Sequence, residues 1–290
     1  MQVLWVYAHP EGRSLNARLR DAGIAAARAA GHEVEVSDLY AMSWTATLAP
    51  DDFGDLADRP PELGRASHRA YDAGTLAPDI RAEQRKLLRA DALVLQFPLW
   101  WYAPPAMLKG WIDRVFTKGF AFGIADPQCP GRTLRYGDGP LAGRRAQVIT
   151  TVGSPAPAMG PRGVNGQLDQ VLFPLLHGTL WYVGMSVLPP LAVHGADRLS
   201  SAAYDCALVE VAGRARSLWD IEPIAYRRQN GGAYDDDLVL RDDLAPGQTG
   251  LGVHTRPRAH QRYAYRAGDA LTGQGAPPPG CVAGGAGAAQ

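Results

Sequence analysis

The sequence predicts an α/β protein: a doubly wound, five-stranded parallel sheet with helices on both faces, followed by an irregular C-terminal extension. Three observations carry this. Strand-like and helix-like stretches alternate through the first two thirds of the chain, as crossover connections between parallel strands require. The strands are short and almost wholly apolar, as strands covered on both faces should be. Beyond residue 222 the alternation fades.

In order, residues 2–7 (QVLWVY) read as the first strand. Residues 15–30 are Ala/Arg-rich with helical spacing, and Gly31 supplies a stop. Residues 33–37 alternate as a second strand. Residues 40–76 hold many Asp, Pro and Gly without a sustained period and read as a long surface excursion. Residues 78–90 form a helix with proline near its start, and residues 92–97 a third strand. A helix over 105–115 leads into a Gly/Pro-rich segment, 119–143. The fourth strand covers 146–151, one helix 167–182, the fifth strand 186–193 and a last helix 200–219. Residues 225–265 promise only patches of order, and 267–290, full of Gly, Ala and Pro, read as a disordered tail. The expected division is a domain over 1–222, an extension over 223–266 and a tail over 267–290.

Composition narrows the function classes. The chain has 290 residues, 46% apolar and 20% charged, with 29 basic against 29 acidic residues. Such a balance gives no global field to recruit nucleic acid or an anionic membrane. The N-terminus lacks a basic leader, and no apolar run approaches the roughly 18–20 residues of a membrane span. Three scattered cysteines suit neither a metal site nor a disulfide framework. A cytoplasmic protein is expected.

Three strand-to-helix loops carry candidate chemistry, all at the carboxyl edge of the predicted sheet, where ligands of open α/β sheets bind. The first, YAHPEGRSLN, opens a helix, whose free N–H groups and dipole favour phosphate; His9, Ser14 and Asn16 add donors. It matches neither G-x-G-x-x-G nor the Walker pattern. The second, QFPLWWYAPPAMLKGW, sets three aromatics after a buried strand. One aromatic would normally be core, but three in a row cannot all face one interior, so at least one should line a cleft. The third, Thr150-Thr-Val-Gly-Ser154, offers hydroxyls and a glycine that lets backbone approach a ligand. Phosphate, ring and polar ring atoms together describe a flavin site.

With these loops the sequence resembles the NAD(P)H:quinone oxidoreductase (DT-diaphorase-like) family, of flavodoxin-like fold. The matching stretches are YAHPEGRSLN, HEVEVSDLYAM, QFPLWWYAPPAMLKGWIDRVFTKGFAFG, TTVGSPAPAMGPRGVNGQLDQVLFPLLHGTLWYVGMSVLPP and, more weakly, GLGVH. The resemblance implies a homodimer that binds FAD and passes a hydride from NADH or NADPH to a quinone-like acceptor by a ping-pong mechanism. It places His9, Ser14, Leu15 and Asn16 at the pyrophosphate. Pro98, Leu99, Trp100, Trp101 and Tyr102, with Thr150, Thr151, Val152 and Gly153, fall at the isoalloxazine. The expected substrate contacts are Trp101, Tyr102, Phe122, Met159 and Asn165.

Departures bear on the acceptor. Where the family has a Tyr and a His proposed to neutralise the reduced flavin, this chain has Met159 and Asn165, and Asn cannot supply a proton at neutral pH. Two tyrosines contributed across the dimer are replaced by Phe122 and Ile124. Two alternatives therefore stand beside a general quinone reductase: a tailoring reductase for one polyaromatic metabolite, and a flavin-binding regulatory subunit of a potassium-efflux antiporter.

Overall fold

The computed structural model describes residues 1–54 and 63–257. Its parallel sheet is built from β1 (Gln2–Tyr7), β2 (Glu33–Asp38), β3 (Ala92–Pro98) and β4 (Arg145–Val152), with β5 (Ser186–Val187) and β6 (Leu191–His194) both paired to β4, in the order β2-β1-β3-β4-β5. β3 is buried along its whole length and β1 and β4 along all but their first residue; β2, at the edge, alternates between open and shielded positions. The apolar runs of the first, third and fourth strands thus reflect double covering.

One face carries α1 (Leu15–Ala29), whose Ser14 side chain caps it by accepting from the Ala17 amide. The other carries α2 (Leu63–Ala73), α3 (Pro78–Arg89) and α4 (Ala106–Val115). Two short turns, α5 (Leu168–Val171) and α6 (Phe173–Leu175), run into a π-helical stretch, Leu176–Trp181, on that same face. The last helix, α7 (Ser201–Arg216), returns to pack on α1. Gly23 permits this close packing, since a Cβ there would stand 2.4 Å from the Trp5 ring and 3.1 Å from Val211. No helix among the described residues is long and apolar enough to cross a membrane.

Three expectations are corrected. The fifth strand is split, because Pro189 and Pro190 have no N–H to give the ladder; the Pro189 carbonyl instead accepts from Arg214 and Gln147. The helix expected over 167–182 breaks because Pro174 lacks its amide, and the chain widens into π turns, with the Tyr182 amide bonded to the His177 carbonyl. The stretch read as a surface excursion instead reaches the core: Trp44, Phe53, Ala66, Ala70 and Leu76 are buried with residues of α3 and α4.

That last correction rests on an ion cluster. Arg114 on α4, 4% exposed, binds Asp52 through two hydrogen bonds of 2.6 and 3.0 Å and reaches Asp79 at 2.6 Å. A second bond to Asp79 spans 3.2 Å, and the guanidinium lies 4.6 Å over the Trp44 ring. Beyond α7, residues 223–257 fold back on the 125–139 segment. Gln229 accepts from Arg135 and donates to the Thr133 carbonyl, and Tyr226 bridges to Thr255. The tail expected over 267–290 lies outside the described residues.

Removing one partner of a buried pair leaves an uncompensated charge, so Arg114→Ala is expected to destabilise the protein by about 3–5 kcal/mol in urea unfolding. A loss under about 1 kcal/mol, the value of an exposed pair, would show the cluster to be solvated.

Candidate functional site

β1, β3 and β4 end side by side, so the three loops that follow them meet at one edge of the sheet. Each pair of loops is joined by a contact. The first and third are tied by the buried Asn16 side chain, which donates to the Thr151 hydroxyl at 2.8 Å. The first and second meet where the His9 and Trp100 rings lie 6.0 Å apart. The second and third are joined twice. The Leu99 amide donates to the Thr151 carbonyl at 2.9 Å. The Tyr102 hydroxyl donates to Asn165 Oδ1 at 3.0 Å, and Asn165 Nδ2 donates to Ser154 Oγ at 2.8 Å.

The aromatic loop is a tight turn. Trp100 and Ala103 exchange both backbone hydrogen bonds, and the two central residues, Trp101 and Tyr102, hold φ of 48° and 61°. Glycine and asparagine favour such a turn; two bulky aromatics in the left-handed region are strained. The turn lifts Trp101 to 96% exposure, with Trp100 and Tyr102 about half exposed. None of the three is core. Pro104 and Pro105 follow at once, and α4 begins at Ala106.

In the first loop, His9 Nδ1 accepts from the Glu11 amide at 3.0 Å. Burial lowers the His9 pKa, against the raising influence of Glu11, and favours the neutral ring. Ser14, besides capping α1, lies 3.4 Å from the Tyr7 hydroxyl, whose pKa burial raises. Leu15 packs into the α1–α7 cluster, so only its backbone can serve the site. In the third loop, Gly153 passes so close to Asp197 that a Cβ would stand 2.8 Å from a carboxylate oxygen. Burial lowers the His194 pKa, while a hydrogen bond with the Ser154 backbone opposes this. Ser154 was expected only as the end of the third loop, and His194 and Asp197 were not singled out. Only the end of an apolar run before His194 could have signalled the last two.

Two polar atoms at this edge are buried without a hydrogen-bond partner, Asn16 Oδ1 and the Thr150 hydroxyl. Such atoms are costly to leave unmade. Together with a helix N-terminus and an exposed aromatic turn, they fit a ligand that brings a phosphate, a polar ring edge and an apolar ring face, as a flavin does. Pro98 and Val152 are buried at their strand ends and Leu99 packs on the core, so they shape the edge from beneath.

Met159 lies differently from expectation. Met159, 1% exposed, points into the core beneath the loop, where its apolar side chain belongs, and not toward the open side. Phe122 closes a separate turn with Lys118 and has no ring contact with the cluster among the described residues. Asn165 is the member of that group that joins Tyr102.

A family profile described as flavodoxin-like fold matches residues 1–214. A provisionally described quinone reductase from Klebsiella pneumoniae has a solved structure that superposes with a TM-score of 0.84, at 46% identity, over 88% of this chain and 100% of that one. A ribosyldihydronicotinamide dehydrogenase-like protein of Penicillium crustosum is 40% identical over 262 residues, 88% of this chain and 96% of its own. The mouse ribosyldihydronicotinamide dehydrogenase [quinone] is 39% identical over 77% of this chain and 94% of its own.

Because Trp101 is exposed and strained, Trp101→Gly is expected to leave urea stability within about 1 kcal/mol of the parent, relief of φ strain offsetting glycine's extra chain entropy. A loss of about 3–5 kcal/mol, typical of a core Trp truncation, would return it to the interior.

Proposed function

Since the chain belongs to the flavodoxin-like family of NAD(P)H:quinone oxidoreductases and is an oxidoreductase, we propose that it binds FAD and carries two electrons from a reduced nicotinamide to a quinone-like aromatic acceptor. The observation that carries this reading is the pairwise tying of three loops at one sheet edge, with Asn16 Oδ1 and Thr150 Oγ1 buried and unmatched beside exposed aromatics. The quinone dehydrogenases among its relatives supply the acceptor class.

When bound, the flavin supplies two-electron chemistry, accepting from the nicotinamide and giving to the acceptor in turn. The chain's residues do the rest. The start of α1, with the Ser14 hydroxyl, the backbone at Leu15 and Asn16, and neutral His9, would offer donors to the pyrophosphate. Thr150, Thr151 and the backbone at Gly153 would hold its polar ring edge. The Trp100–Tyr102 turn would provide an apolar platform for the ring. Donor and acceptor would use this one site in turn, as ping-pong kinetics requires. Phe122, which makes no ring contact with this cluster among the described residues, would belong with Ile124 on the wall that a second copy brings in a homodimer. A cytoplasmic location fits the reading.

The relatives' names add a choice of donor, ribosyldihydronicotinamide as well as NADH and NADPH. We expect purified protein to be yellow, or to become so with FAD more readily than with FMN. Anaerobic addition of at least one of the three donors should bleach it, and a quinone should restore the colour. A protein that takes up neither flavin, or a bound flavin that no donor bleaches, would overturn the proposal. A flavin that bleaches but passes electrons to one polyaromatic acceptor alone would favour a tailoring reductase.

As His9 is held neutral, protonation should strengthen pyrophosphate binding. FAD affinity is therefore expected to rise as pH falls below about 6.5, the ordinary histidine value, and His9→Ala should flatten that rise in a fluorescence titration. An unchanged slope would remove His9 from the phosphate.

A further inference from the structure

We infer that His177 is a pH-sensitive latch: its neutral ring holds the 223–257 extension on the π-helical stretch, and its protonated ring releases it. The latch lies outside the three loops read as a flavin site and does not depend on that reading.

His177 is 9% exposed, and its Nε2 is buried without a hydrogen-bond partner among the described residues. Its neighbours are rings from three parts of the chain. Phe173, four residues back, stacks on it with centroids 4.5 Å apart. Tyr136, from the segment before β4, stacks at 5.0 Å. From the extension, Tyr226 meets it edge-on at 4.9 Å and His254 stands 5.5 Å away. A neutral imidazole suits such a box, whereas an imidazolium there loses its water without gaining a counter-charge.

The groups around the box supply no such charge. Residues 170–181 of its own stretch carry no acidic side chain. In the extension, His254 is bonded to the Tyr234 hydroxyl at 3.0 Å, and Arg227 adds positive charge beside it. Tyr136 has Tyr182 and Arg135 as neighbours, and Asp138, two residues on, is paired with Arg228 at 3.3 Å. Burial first, and then His254, lower the His177 pKa to about 4.

The rings of Tyr226 and His254 stand on two stretches of the extension that clasp one another. The Arg227 amide donates to the His254 carbonyl at 2.9 Å, and the Arg256 amide to the Ala225 carbonyl at 2.8 Å. The extension continues to Asn230, whose side chain donates to Asp126 at 2.8 Å, and the Leu134 amide closes that segment on the Ile124 carbonyl. One ring thus bears on the docking of the extension and, through it, on residues 124–134.

The direction of the pH effect follows. Above about pH 6.5, the ordinary histidine value, docked and released rings are both neutral and docking does not vary. As pH falls from there toward 4, the released ring takes a proton that the docked ring does not, so docking weakens about tenfold per unit and about 300-fold in all. Below that both forms are charged and the fall ends.

Hydrogen exchange of the full-length protein tests this, with protection corrected for the intrinsic rate at each pH. The opening equilibrium of residues 224–231 and 251–256 should rise about tenfold per unit below about pH 6.5, while α1 and β3 keep their protection. His177→Phe retains a stacking ring that cannot titrate, so the rise should flatten in it. NMR of isotope-labelled histidine follows the wild-type ring itself, whether or not the variant folds, and His177 should titrate near 4. Unchanged opening across this range, an equal rise in α1 and β3, a rise that persists in His177→Phe, or a docked His177 ring that titrates at about 6.5 would each overturn the inference.

Discussion

The site depends on a buried string of hydrogen bonds that holds three loops in one register. Trp5 Nε1 donates to Gln96 Oε1 at 2.9 Å, Gln96 Nε2 donates to the Asn16 carbonyl at 2.7 Å, and Asn16 Nδ2 donates to Thr151 at 2.8 Å. The string runs from β1 through β3 to the first turn of α1 and the end of β4. Gln96 is fully buried, so each bond left unmade would cost about 1–3 kcal/mol of desolvation. A polar residue in an otherwise apolar strand thus sets where α1 begins relative to β4. It also leaves Asn16 Oδ1 unmatched, and that atom becomes part of the candidate site.

The opposite face is fixed by charge. Arg114 joins α4 to the loop at Asp52 and to the start of α3 at Asp79, and the Glu83 carboxylate accepts from Trp111 and Ser37 nearby. α4 follows directly on the aromatic turn, so a fixed α4 fixes where Pro104 and Pro105 send the chain. The turn is then closed at both ends, by its own Trp100–Ala103 bonds and by the Tyr102–Asn165 bond. Strain at Trp101 and Tyr102 is sustained by these constraints rather than by burial of the two rings.

Strand alternation and the three loops were legible because they depend on local signals: apolar runs, a Ser cap, an aromatic triplet, a TTVGS turn. What escaped depended on distant partners. The 40–76 stretch lacks a helical period because the buried face of α2 consists of small residues, Ala66, Ser67 and Ala70, and because its anchor, Asp52, finds Arg114 62 residues away. Pro174 was visible, but whether a proline kinks or ends a helix is decided by the packing around it. Met159 was assigned by its place in the resemblance, and a side chain's direction is not in the sequence. Trp101 shows the reverse case: three aromatics were enough to place one outside the core, and all three lie outside it.

Where the resemblance implies a Tyr–His pair, Met159 and Asn165 are best understood together with the turn. A buried phenol at position 159 would need a partner, whereas the thioether of Met159 fills core space without one. The loop after β4 thereby becomes an apolar support. Asn165 in that loop accepts the hydrogen of the Tyr102 hydroxyl and so ties the loop to the aromatic turn.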